Sequence, residues 1–241
     1  MNKNLIHDRF AKNLKSYNEN AKIQKRMAER LVTLVLNKKP QKILEIGCGT
    51  GFLTNILDKE LEYTTYKALD IVEECEFYIK KINHNIEFIP VDIEEFINIG
   101  DEKFDLIISN ASLQWVDDFE IVVKKLQQRL NKDGELVFST FGTENFREIY
   151  HIIGTSLKYY SQESLKEMFA LNYIEQEIHI MAFETPKEVL KHLQLTGVNA
   201  ISNTSWTKKD LLQFENGYRN LCCTRPTLTY NPVYLRMLSL D

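Results

Sequence analysis

A glycine-rich run between Glu45 and Gly51 holds the residues best suited to chemistry. Apolar residues lead into Glu45, and Gly47, Gly49 and Gly51 then follow at every second position. Glycine tolerates positive φ in a tight turn and leaves no side chain between the backbone and a ligand. Residues 52–59 can start a helix whose first amides point back at that ligand. The run therefore predicts a site for a nucleotide-like cofactor.

The acid before the loop indicates which kind of cofactor fits. Dinucleotide-binding loops usually follow G-x-G-x-x-G and bind a pyrophosphate, whereas the third glycine here comes one residue earlier. Glu45 would repel a pyrophosphate but suits a ligand that carries an ammonium group. The pattern resembles the first motif of the class I S-adenosylmethionine-dependent methyltransferases, and it disfavours a nicotinamide dehydrogenase. The resemblance implies cofactor contacts from Glu45, Gly47, Cys48, Gly49 and Gly51.

Polar residues at the ends of the following predicted strands agree with this cofactor class. The strand predicted at 65–70 ends in Asp70, 23 residues after Gly47, and Rossmann-like folds place a ribose-binding acid about 20 residues after the loop. In the family that the motif resembles, the acid after strand three binds the adenine amino group, and polar residues after strand four lie near the methionine part. The cofactor contacts implied by these matches are Asp70, Ile71, Asp92, Ile93 and Asn110, with Gln24 from the N-terminal segment.

The elements that must position these residues alternate between strands and helices, as in an α/β fold. After the first strand, further strands are predicted at 65–70, 86–93, 104–110, 135–141, 173–183 and 227–235. Helices are predicted at 21–37, 52–59, 118–130, 186–195 and 208–221. The resemblance implies a Rossmann-like class I methyltransferase fold, which is a seven-stranded, mostly parallel sheet with an antiparallel last strand and helices on both faces.

We expect one domain over residues 1–241. Within it, residues 1–42 should form a helical segment over the cofactor, and residues 186–221 a small helical lid inserted between strands six and seven. Insertions at the carboxyl ends of strands are where α/β folds hold substrates. Acceptor choice should therefore depend on the lid and on the N-terminal segment.

Composition places the chain among ordinary globular proteins. Its 241 residues are 44% hydrophobic and 27% charged, which are common values for soluble domains. No stretch approaches the roughly 18 apolar residues of a membrane span, and the first residues lead into no apolar signal core. The cysteines lack metal-ligand spacing, so we expect reduced thiols, no bound metal and a cytoplasmic location; they are Cys48, Cys75, Cys222 and Cys223.

Positive charge is concentrated at the N-terminus. Residues 1–42 contain eleven Lys or Arg and three acidic residues, a net charge of +8, while the whole chain carries −4. In the helix predicted at 21–37, Lys22, Lys25 and Arg26 lie opposite the apolar stripe. That polar side is either a solvated face or a docking surface for an acidic partner.

Segments outside the glycine loop narrow the resemblance. Over nearly the whole chain, they resemble the malonyl-acyl-carrier-protein O-methyltransferases of the pimeloyl branch of biotin synthesis. The resemblance implies methyl transfer from S-adenosylmethionine to the free carboxylate of a malonyl thioester of acyl carrier protein or coenzyme A, with S-adenosylhomocysteine as product. The segments that support this similarity are 9–11, 17–18, 109–115, 138–142, 195–200 and 228–230.

A malonyl carboxylate is already ionised near neutral pH, so no residue is expected to act as acid or base. The enzyme must instead align the carboxylate and partly remove water. Candidates for this positioning are Tyr17, Gln194, Tyr230 and Arg225. Relatives often carry Lys or Arg where this chain has Gln194, so the residue that orients the carboxylate stays open.

Other functions share parts of the pattern. A methyltransferase of another small acid (aconitate type) or of a quinone ring would keep every cofactor residue and differ in the lid. A non-catalytic module that binds the cofactor is a further alternative. Residues 231–234, Asn-Pro-Val-Tyr, resemble a motif of amino-directed nucleic-acid methyltransferases, but that motif belongs after strand four. We therefore expect no nucleic-acid or membrane partner.

Overall fold

The chain forms a central β-sheet with helices on both faces, in a computed structural model that describes residues 2–197, 207–221 and 225–240. The strands are β1 (Lys42–Ile46), β2 (Thr65–Asp70), β3 (Glu87–Pro90), β4 (Phe104–Asn110), β5 (Leu130–Phe141), β6 (Tyr173–Gln176), β7 (His179–Ala182), β8 (Thr227–Tyr230) and β9 (Pro232–Leu238). The helices are α1 (Lys3–Asn20), α2 (Lys22–Thr33), α3 (Phe52–Glu60), α4 (Cys75–Ile82), α5 (Ile93–Phe96), α6 (Phe119–Gln128), α7 (Arg147–Ile153), α8 (Gln162–Met168), α9 (Pro186–Leu195) and α10 (Lys208–Leu221). Residues 198–200 of the predicted lid motif, Cys222 and Cys223 lie outside the described ranges.

Within the described residues the main sheet has seven strands in the order β3-β2-β1-β4-β5-β9-β6. The first five strands of the chain pair in parallel. The last strand, β9, runs antiparallel between β5 and β6, which confirms the predicted sheet. The strand order reverses between β1 and β4, so the carboxyl ends of these strands flank the switch point at which open α/β sheets bind ligands.

Successive residues of the inner strands supply two separate cores. Ile43 and Leu106 pack on the side covered by α2, α3 and α4. Their neighbours Leu44 and Ile107 pack on the opposite side with α5, α6 and α8. All four side chains are completely buried, as expected for strands covered on both faces. The two cores hold the strands rigidly, and their carboxyl ends can therefore carry a site.

Two strands predicted as continuous are each divided in the structure, so those predictions of strand length were wrong. The segment 173–183 becomes β6 and β7, and 227–235 lies across β8 and β9. At the break, the Asn231 side chain donates to the Glu177 carbonyl at 2.8 Å. The Glu177 amide donates to the Pro232 carbonyl at 2.9 Å. The strands β7 and β8 then pair with each other in a separate two-stranded sheet, from which the lid helices α9 and α10 extend.

The second helix is shorter than the prediction of 21–37. It ends at Thr33. The amides of Leu34 and Val35 still donate to helix carbonyls three residues back, but the two amides that follow are used elsewhere. Those of Leu36 and Asn37 donate to the Glu135 carboxylate at 2.9 and 3.0 Å. A side-chain acceptor on β5 therefore replaces the helical carbonyls and turns the chain into the sheet.

Candidate functional site

A cavity opens at the carboxyl ends of β1, β2 and β4, and we call it the central cavity. Its empty space is about 1060 Å³ when the open mouth is counted. Its inner wall is the glycine loop and the strand ends. Its outer wall is one stripe of α1, formed by Lys3, Ile6, Phe10, Leu14 and Tyr17.

The glycine loop turns sharply because its glycines adopt left-handed backbone conformations. The φ angles are +68° at Gly47, +52° at Gly49 and +81° at Gly51, a region that other residues enter at a cost of about 1–2 kcal/mol. The amides of Gly47 and Cys48 donate to the Leu69 carbonyl at 2.8 and 3.0 Å. These bonds fix the loop against the end of β2.

An added Cβ would meet a different environment at each glycine. At Gly47 it would lie 2.1 Å from the Ser112 hydroxyl, and at Gly51 it would lie 2.4 Å from Ile82. At Gly49 no atom of the described residues lies within 4 Å of it. Gly49 lines the central cavity whereas Gly51 caps α3 behind it. The bare backbone of Gly49 is therefore the part of the loop that a ligand can approach closely.

Asp70 ends β2 and faces the same cavity. One of its carboxylate oxygens accepts the Gly49 amide at 2.8 Å, and the other accepts the Val72 amide at 2.9 Å. Burial raises the pKa of this carboxyl, and the backbone donors oppose that rise. Each carboxylate oxygen has more than one lone pair, so Asp70 could still accept the two hydroxyls of a ribose.

Glu45 is 1% exposed and is one of the residues that line the central cavity. One oxygen accepts the hydroxyls of Thr54 at 2.7 Å and Tyr66 at 2.5 Å. Burial raises the pKa of Glu45 to about 7, although these hydrogen bonds lower it. Within the part of the chain described, no Lys or Arg forms an ion pair with this carboxylate. A buried acid without a cation would favour a ligand that brings one.

Asp92 lies at the far end of the cavity, where it caps α5 by accepting the Glu94 amide at 2.9 Å. The Lys3 ammonium lies 3.0 Å from the second Asp92 oxygen and 2.5 Å from Glu94. Sequence reasoning missed Lys3. The helical stripe that continues from it through Ile6 and Phe10 could have indicated that Lys3 faces inward.

Asn110 is held by hydrogen bonds at both ends of its amide. Its nitrogen donates to the Gln24 carbonyl at 2.9 Å, and its oxygen accepts the Ser139 hydroxyl at 2.8 Å. Asn110 lines the cavity together with Ile71 and Ile93, whereas Gln24 is buried behind the lining. Gln24 is therefore linked to the site through its backbone carbonyl.

Tyr17 lines the cavity near the glycine loop. Its ring centre is 6.0 Å from that of Phe52, and removal of its hydroxyl from water raises the pKa of the phenol. The phenol stays protonated at neutral pH and can donate a hydrogen bond. Nearby, the Phe10 ring meets that of Trp115 nearly at right angles, with the centres 5.8 Å apart.

The helix α1 is fixed at both ends and in the middle. Lys3 pairs with Asp92 near its start, and the Thr50 hydroxyl donates to the Asn18 side chain near its end. In between, Phe10 packs so closely on the lid that a Cβ at Gly197 would lie 2.9 Å from the ring. The central cavity is thus closed on one side by a helix that three separate contacts hold.

Of the predicted acceptor-positioning residues, Tyr230 is fully buried beside the lid. Its hydroxyl lies 2.7 Å from Nε2 of His192 on α9. Burial lowers the pKa of His192 to about 4, and the charge of Lys22 contributes to this shift. The imidazole is therefore neutral near pH 7. Sequence reasoning missed His192, because a single histidine in a helix carries no spacing signal.

The other two residues predicted to position the acceptor, and the three predicted to dock a partner, lie on the surface, outside the lining of the central cavity. Gln194 is exposed on α9. Arg225 pairs with Glu184 at 3.2 Å, and both side chains are mostly exposed. On α2, the exposed side chains include Lys22, Lys25 and Arg26.

Comparison with known proteins defines the class first. Residues 17–172 match the family model described as "Methyltransferase domain". The N-methyltransferase NodS from Bradyrhizobium japonicum, solved with S-adenosylhomocysteine, shares the fold with a TM-score of 0.59 at 14% identity, over 98% of this chain and 99% of that chain. The YcgJ protein from Bacillus subtilis aligns with a TM-score of 0.58 at 11% identity, over 89% and 98% of the two chains. The fold is that of a class I methyltransferase.

Curated relatives define the family more narrowly. Malonyl-[acyl-carrier protein] O-methyltransferase from Calditerrivibrio nitroreducens is 39% identical over 227 residues, which cover 90% of this chain and 89% of the relative. The protein of the same name from Acinetobacter baylyi is 34% identical over 98% of this chain and 96% of the relative. The chain belongs to the malonyl-[acyl-carrier protein] O-methyltransferase family. It is an S-adenosylmethionine-dependent O-methyltransferase.

The described ranges were also searched for membrane-spanning helices, metal-binding groups and free cysteines. No helix there combines the length and apolar character that a bilayer crossing requires. No group of three or more His, Cys, Asp or Glu is arranged to hold a metal. Cys48 and Cys75 are buried free thiols, and burial raises the pKa of both, so they stay protonated near neutral pH.

Proposed function

We propose that this enzyme methylates the free carboxylate of a malonyl thioester carried by an acyl carrier protein, and that the methyl ester enters pimeloyl and biotin synthesis. The observation that carries the proposal is the likeness to the curated relatives over nearly the full chain. The malonyl thioester of coenzyme A presents the same reacting group and is the alternative acceptor.

The chemistry of the cavity suits S-adenosylmethionine, which supplies a methyl group activated on a sulfonium. Glu45 offers an unpaired buried carboxylate to the ammonium, and Asp70 offers two oxygens to the ribose hydroxyls. Asp92 would accept from the adenine amino group, with Ile93 against the ring. The bare backbone around Gly49 would lie along the ligand.

The acceptor needs orientation more than proton transfer. Because its carboxylate is ionised near neutral pH, a protonated phenol such as Tyr17 could hold one oxygen and leave the other free as nucleophile. The contacts of α1 exclude water from this side, which favours the charge-neutralising reaction. Tyr17 is better placed than Arg225 for this role, since the Arg225 guanidinium already pairs with Glu184.

The acidic carrier protein would dock on α2. Lys22, Lys25 and Arg26 are exposed, and none of them forms an ion pair with another described residue. Other basic residues of the N-terminal segment do pair, such as Arg30 with Glu175. Unpaired cations on one helix are suited to attract an acidic protein surface.

One experiment tests the proposed reaction. The protein is incubated with isotope-labelled S-adenosylmethionine and malonyl-carrier protein, and the acyl group is examined by mass spectrometry. We expect the label on the malonyl group as a methyl ester. Free malonate and an aconitate-type acid serve as competing acceptors. Transfer to one of these, with none to any malonyl thioester, would overturn the proposed acceptor and leave the class of enzyme intact.

A further inference from the structure

Four aromatic side chains line the central cavity as one connected set, which we call the aromatic cluster. They are Phe10, Tyr17, Phe52 and Trp115. The ring centres of Phe10 and Trp115 are 5.8 Å apart. Tyr17 continues the set, with its ring centre 6.4 Å from that of Phe10 and 6.0 Å from that of Phe52. All three separations fall in the range of paired aromatic rings.

Three elements bring these rings to the cavity. Phe10 and Tyr17 are seven residues apart on α1, so they share one face of the helix. Phe52 is the first residue of α3 and follows the glycine loop, and Trp115 ends the short turn Leu113–Trp115 after β4. Trp115 is buried whereas the other three rings are half-buried. Part of their surface therefore stays open to the cavity.

Within the described residues, no protein cation lies over a ring of the aromatic cluster. Elsewhere in the chain such pairs do form. The Lys81 ammonium is 4.0 Å from the Phe77 ring centre, and the Arg129 guanidinium is 5.2 Å from that of Phe96. A cation over an aromatic face is attracted by the ring quadrupole, most strongly where water is excluded. The aromatic cluster therefore offers an open place for a cation that a ligand brings.

The strand ends of the same cavity carry negative charge. Glu45 and Asp70 both line it, and neither pairs with a Lys or Arg in the described part of the chain. A cationic ligand between these carboxylates and the rings would be stabilised from both sides. In S-adenosylmethionine the sulfonium joins the ribose to the amino-acid chain. It must therefore lie between the groups that bind those two parts, which are Asp70 and Glu45 in the placement proposed above.

Resting on that placement, we propose that the aromatic cluster recognises the sulfonium of S-adenosylmethionine and so distinguishes the methyl donor from its product. When the acceptor oxygen forms its bond to the methyl carbon, the electron pair of the broken S–C bond returns to sulfur. S-adenosylhomocysteine then has a neutral thioether, which the ring faces no longer attract. It keeps the contacts of its ribose and ammonium. The aromatic cluster thus strengthens binding of the donor without slowing release of the product.

Three ligands that differ in charge at this position test the proposal by calorimetric titration. S-adenosylmethionine has the sulfonium, sinefungin has an ammonium nearby, and S-adenosylhomocysteine is neutral there. We expect Phe52→Leu and Tyr17→Leu each to weaken binding of the two charged ligands about three- to tenfold, as for the loss of a shielded cation–π contact. Affinity for S-adenosylhomocysteine should change by less than about twofold, since it has no charge there to lose.

Matched variants separate the ring from other effects. Tyr17→Phe keeps the ring and removes the hydroxyl proposed to hold the acceptor, so it should retain the ratio of affinities for charged and neutral ligands. Phe77→Leu removes an exposed ring on α4 that lies outside the cavity lining, and it should leave all three affinities unchanged. Denaturant unfolding reports whether each variant is folded. The titrations need no acceptor, so they are independent of which acid is methylated.

The pattern across the ligands decides the outcome. A loss confined to the charged ligands in either leucine variant supports the proposal, so one folded variant is enough. Equal losses for all three ligands would overturn it, because the rings would then act by packing alone. Unchanged affinities in both leucine variants would overturn it as well. Asp70→Ala should weaken all three ligands, since each carries the ribose, and unchanged affinities there would overturn the proposed placement of the cofactor instead.

Discussion

Gly47 and Gly49 lie two residues apart in the same loop, yet their replacement by alanine should have different consequences. Both positions have positive φ, so each alanine should reduce the free energy of unfolding by about 1–2 kcal/mol. At Gly47 the new Cβ also meets Ser112 at 2.1 Å, which should add about 1–3 kcal/mol. Gly49→Ala meets no described atom within 4 Å and should mainly weaken cofactor binding.

Denaturant unfolding and calorimetric titration with S-adenosylhomocysteine separate the two effects. Adding Ser112→Gly to Gly47→Ala removes the clash and should recover the part of the stability that exceeds the backbone strain. A Gly49→Ala variant with unchanged affinity would show that no ligand approaches this part of the backbone.

The buried carboxyl of Glu45 should make stability depend on pH. Its pKa is about 7 in the folded protein and about 4.5 when unperturbed. Between these values the folded state holds a proton that the unfolded state has lost. The stabilisation is therefore complete below about pH 4.5 and is lost as the pH rises through 7, amounting to roughly 3 kcal/mol.

Comparison of the unaltered protein with Glu45→Gln at pH 5 and pH 8 measures this contribution. The neutral amide cannot titrate, so the free energy of unfolding should fall by more in the unaltered protein than in the variant. Parallel curves for the two proteins would mean that Glu45 titrates alike in the folded and unfolded states.

At the residue level, what could be predicted from the sequence depended on local motifs. The glycine spacing and the strand-end acids indicated residues that do line one cavity, including Asp70, Asp92 and Asn110. Lys3 and His192 were missed because their contacts join elements far apart in the chain. Glu45 was expected beside an ammonium, but its hydrogen bonds to Thr54 and Tyr66 depend on α3 and β2, which the motif does not describe.

Among the helices, α1 is the one whose position should govern exchange of the cofactor. Its stripe forms the outer wall of the cavity, and Lys3 fixes its start to Asp92 and Glu94. Lys3→Met removes this partly buried ion pair. We expect dissociation of S-adenosylhomocysteine to become about three- to fivefold faster, as for the loss of a partly shielded charge contact, with a smaller change in the association rate.

Stopped-flow displacement measures both rates, and Lys12→Met is the matched control because Lys12 is exposed on the same helix. Glu94→Gln should speed dissociation similarly, and the double variant should show less than the summed effect. Slower dissociation in Lys3→Met would mean that Lys3 competes with the adenine for Asp92.

Element predictions succeeded where hydrophobic patterns were uninterrupted. β2, β4, α9 and α10 have the predicted bounds, because apolar periodicity and strand-end polar residues defined them. The predictions of single strands at 173–183 and 227–235 were wrong, because each segment is divided into two strands that pair with different partners. Alternation continues through Glu177 and Asn231, whereas the change of partner strand there depends on hydrogen bonds between distant segments.

For the molecule as a whole, the uneven charge should make turnover sensitive to salt. The first 42 residues carry eleven Lys or Arg against three acids, although the full chain is negative. We expect kcat/KM for malonyl-carrier protein to fall steeply as ionic strength rises, mostly through slower encounter. The effect should level off toward 1 M, where the screening length is about 3 Å.

Charge reversal tests the origin of that salt dependence. Lys25→Glu combined with Arg26→Glu should lower kcat/KM at low salt and flatten its dependence on ionic strength. Malonyl-coenzyme A, which has a smaller footprint, should respond less. Salt curves that keep their slope in the double variant would place the dock elsewhere, with Lys191, Lys208 and Lys209 on the lid as the next surface to test.

The pairing of β7 with β8 has a consequence for how this enzyme can diversify. Ile180 and Thr229 are register partners, so the chain enters and leaves the lid at adjacent points. A segment with adjoining ends can lengthen, shorten or be exchanged at little entropic penalty to the remaining fold. A different segment between these strands would therefore leave unaltered the sheet edge at which we propose that the methyl donor binds.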